Sequence, residues 1–322
     1  MSGEAWRRTA PAKINLALRV TGKRADGYHT LQTIFRLIDL SDELRFEKTN
    51  DGEIRLDCVG ARVGVEPERN LAWMAARALR DEATKLGRKD AQNWGCRIEL
   101  NKRIFQGAGL GGGSSDAAAV LTALNELWGA GVSAARLAEL ALGLGADAPF
   151  FLFGRDAYAQ GVGERLEPID LPDAAYLLLY PNVEADTKAV FSHPLLTDKE
   201  NAGSISRLAL VESAPNDLLK PASALYPPIR RALSVLGACA QEADGRRARM
   251  TGSGSCVFLS FSADAQSDGG DGGDAVGIER ALRRARAAAD QARALLRAED
   301  GSADWRLAVA RALPRGMGAS SA

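Results

Sequence analysis

The chain carries little that could hold a transition metal or build a disulfide frame. Its 322 residues include only two histidines, His29 and His193, and four cysteines (Cys58, Cys96, Cys239, Cys256) with no Cys-x-x-Cys spacing. A structural zinc site is not expected from that donor set, and reduced thiols are. Charge imbalance is also missing: 41 Lys and Arg face 41 Asp and Glu. No basic stripe invites nucleic acid or an anionic membrane surface, so an anionic ligand has to be held by local donors. No apolar run reaches membrane-spanning length and no signal-peptide pattern opens the sequence. A cytoplasmic protein without membrane or nucleic-acid partners is therefore expected. At 46% apolar and 25% charged residues, the composition is that of a soluble globular protein, and the length allows one large or two ordinary domains.

Glycine, by contrast, is concentrated. The run Gln106-Gly107-Ala108-Gly109-Leu110-Gly111-Gly112-Gly113-Ser114-Ser115-Asp116 holds five glycines in seven positions and leads into Ala117-Ala118-Ala119-Val120-Leu121. Few Cβ atoms keep a ligand off such a backbone. The pattern predicts a helix starting at Ser114 or Ser115, with a serine as N-cap, and stopping at Gly129. A glycine loop opening a helix gathers free N–H groups at the positive end of the helix dipole, which suits polyphosphate. Residues 107–112 satisfy G-x-G-x-x-G as a string, but a second helical pattern follows rather than a strand ending in an acid, so the dinucleotide-binding context is missing. No lysine precedes the hydroxyl as in a P-loop, and the V-A-I-K, H-R-D and D-F-G elements of protein kinases are absent.

Elsewhere, alternation predicts a strand over 12–20, and strands at 33–40 and 43–46. Asp51-Gly52 reads as a hairpin turn before a strand at 54–58. Helical periodicity spans 70–86 and 133–142. Short strands are predicted at 97–100, 150–153, 157–160, 165–169, 176–180 and 256–261, and helices near 216–219, 228–240 and 278–298. Pro172 suits a domain junction. The acidic, glycine-rich stretch 262–277 reads as a mobile insertion, and the segment around Trp305 and Leu313 as a final strand or a short amphipathic piece.

Four further segments carry candidate chemistry. Lys13 and Asn15 in Pro11-Ala12-Lys13-Ile14-Asn15 lie two apart on a strand and so point the same way. In Gly145-Ala146-Asp147-Ala148-Pro149 the proline keeps Ala148 out of the helical region and puts Asp147 in a rigid turn. Thr251-Gly252-Ser253-Gly254-Ser255 is a second glycine-hydroxyl loop placed before a strand. Gly27-Tyr28-His29-Thr30 follows a turn.

In this order, these segments resemble the three motifs of the GHMP kinase superfamily. The stretch 10–35 is most similar to the members that act on a cytidylated methylerythritol. The likeness covers most of 8–261 and lapses over 262–298. It implies an α+β, two-domain GHMP kinase fold: a ribosomal protein S5 domain 2-like N-terminal domain over 1–165 and a ferredoxin-like C-terminal domain over 166–322. It implies transfer of a phosphoryl group from ATP to the 2-hydroxyl of a small-molecule substrate bearing a CDP group, in the non-mevalonate route to isoprenoids. Asp147 would be the general base, with Lys13 beside it holding the carboxylate ionised. Phe105, Gln106, Gly107, Ala108, Gly109, Leu110, Gly111, Gly112, Gly113, Ser114 and Ser115 would bind ATP, with Ser114 or Ser115 near Mg2+. Asn70 and Lys102 would approach the adenosine. Tyr28 and Phe191 would sandwich the cytosine, His29 would read its edge, Asn15 would reach the sugar-alcohol, and Thr187 belongs to the segment supplying Phe191. Phe105 stands where many members have proline, and Ala108 replaces a glycine. The alternatives are another GHMP kinase with a different small alcohol, or a non-catalytic ligand sensor, which would be expected to lack Lys13 or Asp147.

Overall fold

Alternating apolar residues in the first fifty positions build two long strands that share one ladder. The structure, a computed structural model, describes residues 6–60, 66–199, 203–243, 247–263, 274–297 and 304–314. Strands β1 (Trp6–Lys23) and β2 (His29–Thr49) pair antiparallel, with register shifts at Pro11/Ala12, Asn15/Ala17 and Val20/Gly22. The expected strands 33–40 and 43–46 are one strand, bent rather than broken. Then come β3 (Ile54–Val59), helix α1 (Leu71–Lys85), β4 (Gly95–Asn101), α2 (Gly112–Leu127), α3 (Ala134–Leu144), α4 (Ala148–Phe153), β5 (Ala157–Gln160) and β6 (Arg165–Pro168). The second half holds β7 (Ala174–Tyr180), α5 (Thr187–Phe191), α6 (Arg207–Ser213), α7 (Leu219–Leu225), α8 (Pro228–Ala238), β8 (Arg249–Met250), β9 (Val257–Ser262), α9 (Asp274–Arg297) and β10 (Arg306–Arg311).

The first sheet runs β3-β4-β2-β5-β6, with β1 on the other edge of β2; the second, of four strands, runs β10-β7-β9-β8. Pro172 falls between the last strand of one sheet and the first of the other. Helices α1, α2 and α3 cover the first sheet around Leu79, Ile98, Val120 and Leu124; α7, α8 and α9 cover the second around Leu177, Leu259, Ile229 and Ala288. A third buried cluster joins the sheets: Ala12, Ile14 and Ile38 meet Tyr176, Leu178 and Phe258, and Phe105, Ala108 and Leu110 of the glycine loop are packed into it. Burying an Ile or Leu side chain contributes about 1.5–3 kcal/mol, so the loop is anchored by its few apolar members. Among the described residues, no helix is long and apolar enough to cross a membrane.

Local expectations fail at three places for identifiable reasons. Residues 150–153 are helical, not a strand, and Ala148 is helical with them rather than kept out of the helical region: Pro149 sits in the first turn of α4, where its missing N–H has no partner to lose. A short apolar run does not distinguish a buried strand from a buried helix. Helix α2 starts at Gly112, capped by Gly111 at φ +71, with no side-chain cap; glycine reaches the left-handed turn that a serine cap does not need. Asp51-Gly52 closes no hairpin, because β3 pairs in parallel with β4. Within 262–277, residues 264–273 lie outside the described residues, while 274–277 already belong to α9.

Candidate active site

The glycine loop is fastened from behind by its carbonyls. Leu110 O accepts from Lys13 N at 3.0 Å, Ala108 O from Cys256 N at 3.2 Å and Gly107 O from Ala185 N at 3.3 Å. Gly109 O accepts from Thr251 Oγ1 at 3.4 Å. With four successive oxygens engaged by β1 and the second half of the chain, the amide N–H groups and the N-terminus of α2 are left to serve the cavity. Gly107, Gly109 and Gly111 lie at φ +63, +75 and +71, while Ala108 has an ordinary angle, so its departure from glycine costs nothing here. Phe105 is buried against Tyr180, ring centroids 5.5 Å apart, with the Arg306 guanidinium on it at 4.8 Å. Gln106 donates to Gly60 O at 2.9 Å.

The loop forms one wall of a cavity of about 1090 Å³. Of the two serines, Ser114 lines it, and a methyl group on Gly145 would lie 3.1 Å from its Oγ, so the hydroxyl abuts the turn that carries Asp147. Ser115 is 1% exposed, and its Oγ has no hydrogen-bond partner among the described residues.

Lys13 reaches the same wall from β1. Its Nζ lies 3.2 Å from Asp147 Oδ2 and donates to Asn15 Oδ1 at 2.7 Å, over the Phe35 ring at 5.3 Å. A buried ammonium has to be paired; here the pairing aims it at the acid. Lys13 is 4% exposed at its side chain and Asp147 33%, so the cation is fixed and the carboxylate open to the cavity. Asn15 spends its amide internally: besides accepting from Lys13, it donates to Thr33 Oγ1 at 2.8 Å. Its backbone N–H donates to Thr251 Oγ1 at 2.9 Å, which ties the second glycine-hydroxyl loop to β1. A methyl group on Gly252 would stand 3.2 Å from Asn15 Oδ1 and 3.5 Å from Lys13 Nζ; only glycine leaves that space clear.

At one end of the cavity stand Tyr28, His29, Thr187 and Phe191. Tyr28 is 64% exposed, whereas His29 is nearly buried and stacks on Phe191 at 5.3 Å and 30°. The ring resting on Phe191 is thus His29, with Tyr28 free in solvent. Thr187 Oγ1 shares a hydrogen bond of 2.8 Å with Ser253 Oγ. At the other end, Asn70 Oδ1 caps α1 by accepting from Ala72 N at 2.9 Å. Lys102 Nζ is held by Asp116 Oδ2 at 2.6 Å and by Asp42 Oδ2. Burial pushes the Asp116 carboxyl up to about 7 despite the pull of Lys102, and the Asp42 charge adds to the rise. Burial also raises the nearby Cys58 thiol.

The structure brings Lys13, Asp147, the loop and the aromatic end to one cavity. The sequence does not single out Asp42 or the contacts of Thr251 and Ser253. Asp42 had a signal: it interrupts the inward positions Ile38, Leu44 and Phe46 of an alternating strand.

Residues 70–155 match the family described as GHMP kinases N terminal domain. The 4-diphosphocytidyl-2-C-methyl-D-erythritol kinase of Bordetella parapertussis is 48% identical over 255 residues, 78% of this chain and 81% of the relative. That of Janthinobacterium sp. is 44% identical over 261 residues, 80% of this chain and 87% of the relative. A crystal structure of 4-(cytidine 5'-diphospho)-2C-methyl-D-erythritol kinase superposes with TM-score 0.70 at 34% identity, covering 96% of this chain and 100% of that one. Homoserine kinase from Cytophaga hutchinsonii, at TM-score 0.62 and 16% identity over 97% of this chain and 96% of that one, shares the fold. The chain belongs to the 4-diphosphocytidyl-2-C-methyl-D-erythritol kinase family, an α+β branch of the GHMP kinases and a group of small-molecule phosphotransferases.

Proposed function

We propose that this protein transfers the terminal phosphoryl group of ATP to the 2-hydroxyl of 4-diphosphocytidyl-2-C-methyl-D-erythritol, releasing ADP, in the cytoplasmic non-mevalonate route to isoprenoid precursors. The observation that carries the reading is the Lys13–Asp147 pair, 3.2 Å apart, lining one cavity with a loop whose carbonyls at 107–110 are all taken up by other parts of the chain. Phosphoryl transfer asks mainly for positioning and charge stabilisation. The amides of 107–113 and the N-terminus of α2 hold the phosphates. Asp147 accepts the proton of the acceptor hydroxyl as its oxygen bonds to phosphorus and the bond to the leaving ADP oxygen breaks. Lys13 keeps the acid in place and offsets charge on the transferring group. Tyr28, His29, Thr187 and Phe191 receive the cytidine end, and Asn15 acts on the acceptor through Lys13. The first lobe, which runs through β6, supplies the loop, base and lysine, and the second, which begins with β7, supplies Thr187 and Phe191.

Magnesium suits this donor set. The ion keeps several waters and takes one or two protein oxygens beside the phosphates, so it does not need a cluster of three His, Cys, Asp or Glu, and none stands among the described residues. The Ser114 hydroxyl, against the Asp147 turn, is the protein oxygen that would hold it, and the ion would supply neutralisation of phosphate charge. A coupled ADP-release assay tests the proposal: activity with the cytidylated alcohol and none with homoserine or mevalonate is expected, and preference for either control refutes it.

A further inference from the structure

Lys102 is expected beside the nucleotide, yet its ammonium is already committed. Nζ binds Asp116 Oδ2 at 2.6 Å and Asp42 Oδ2, with side-chain exposures of 8%, 2% and 0% for Lys102, Asp116 and Asp42. The other Asp42 oxygen accepts the backbone N–H groups of Arg103 at 2.5 Å and Ile104 at 2.8 Å. Three pieces of chain meet on this cluster: β2 through Asp42, the stretch entering the glycine loop through 102–104, and the start of α2 through Asp116. The loop is strung between the last two. A methyl group on Gly112 would lie 3.4 Å from Nζ, so the ammonium sits against the first residue of the helix. A lone cation there would oppose the helix dipole; two carboxylates outweigh it.

We propose that Lys102 is a positioning residue, which with Asp42 and Asp116 fixes the spacing of the two ends of the phosphate loop instead of contacting the nucleotide. A segment with three glycines in left-handed conformations loses much backbone entropy on ordering, and a cradle shaped in advance binds more tightly than one shaped by its ligand. This rests on the reading that the loop holds ATP, so its test includes a readout that needs no ATP.

The variants are Lys102→Met, Asp116→Ala and the two combined. In the double variant Asp42 keeps both backbone donors, so no buried carboxylate is left without partners. Amide hydrogen exchange over 106–113 in the ligand-free protein and the ATP dissociation constant by calorimetry are measured, with urea midpoints tracking global stability. Each single change should speed loop exchange beyond any global loss and weaken ATP about tenfold. The double variant should be no worse than the poorer single, because both remove the same tie. Unchanged loop exchange in the double variant overturns the proposal, as does an ATP loss equal to the product of the two single losses, which would mean direct contact. Faster loop exchange in a protein whose wild type binds no ATP would uphold the tie and refute the functional reading.

Discussion

Alanine at Gly109 should damage both folding and nucleotide binding, and the structure sets the size of the effect. Gly109 lies at φ +75, and a Cβ there would meet Thr251 O at 2.6 Å and Gly254 O at 2.9 Å, where ordinary contact begins at 3.4 Å. Both obstacles are backbone and cannot swing aside as a side-chain tip can. Left-handed backbone costs an L-residue about 1–2 kcal/mol, and overpacking adds about 1–3 kcal/mol. Gly129 isolates the first cost, because at φ +65 its Cβ would meet nothing within 4 Å. Gly109→Ala should therefore lose about 2–5 kcal/mol in urea unfolding and Gly129→Ala about 1–2 kcal/mol. If the loop escapes the overlap by drawing away from the second glycine-hydroxyl loop, the hydrogen bond from Cys256 N to Ala108 O breaks, the cradle widens and KM for ATP rises instead. A Gly109→Ala protein matching Gly129→Ala in unfolding free energy, with unchanged KM for ATP, would refute this reasoning.

Other expectations concern the chemistry, the acceptor and pH. Asp147→Asn should lower kcat about 10²–10⁴-fold while ATP affinity is retained; a near wild-type kcat would remove Asp147 as the base. Phe191→Ala should raise KM for the cytidine-bearing acceptor, since aromatic stacking on a base is worth roughly 1–3 kcal/mol; an unchanged KM rejects the aromatic end as the cytosine site. The Asp116 carboxyl, at about 7 when folded against 3.8 ordinarily, binds its proton more firmly in the native state. Its contribution favours folding fully below pH 3.8 and fades as pH rises through 7. From pH 6 to 8 the wild type should lose about 1.4 kcal/mol that Asp116→Asn does not lose, as read by urea unfolding at both pH values. An identical decline in the variant assigns the proton to another group.

Much of the site is legible in the sequence because its parts are local. The glycine run, the Asp147 turn and the Lys13 strand each announce themselves over a few residues. What escapes is tertiary. Asn15 meets Thr251 from 236 residues away, and Lys102 meets Asp42 from 60; neither spacing leaves a periodic trace. The Tyr28–Phe191 pairing is inferred from two aromatic residues in matching motifs, but sequence does not say that His29 takes the face of Phe191. The helix at Ala148–Phe153 is hidden by Pro149, which reads as a breaker until its place in the first turn is known. Gly111 takes the cap that Ser114 or Ser115 is expected to fill, because the chain turns left-handed there.

The central claim is that the Lys13–Asp147 pair faces an acceptor hydroxyl while the amides of 107–113 hold the donor phosphates. A crystal structure with a non-hydrolysable ATP analogue and the cytidylated methylerythritol tests it most directly. The account predicts the terminal phosphate on those amides and the 2-hydroxyl within about 3.2 Å of an Asp147 oxygen. A nucleotide bound away from the loop, or an Asp147 carboxylate with no acceptor oxygen in reach, would contradict it.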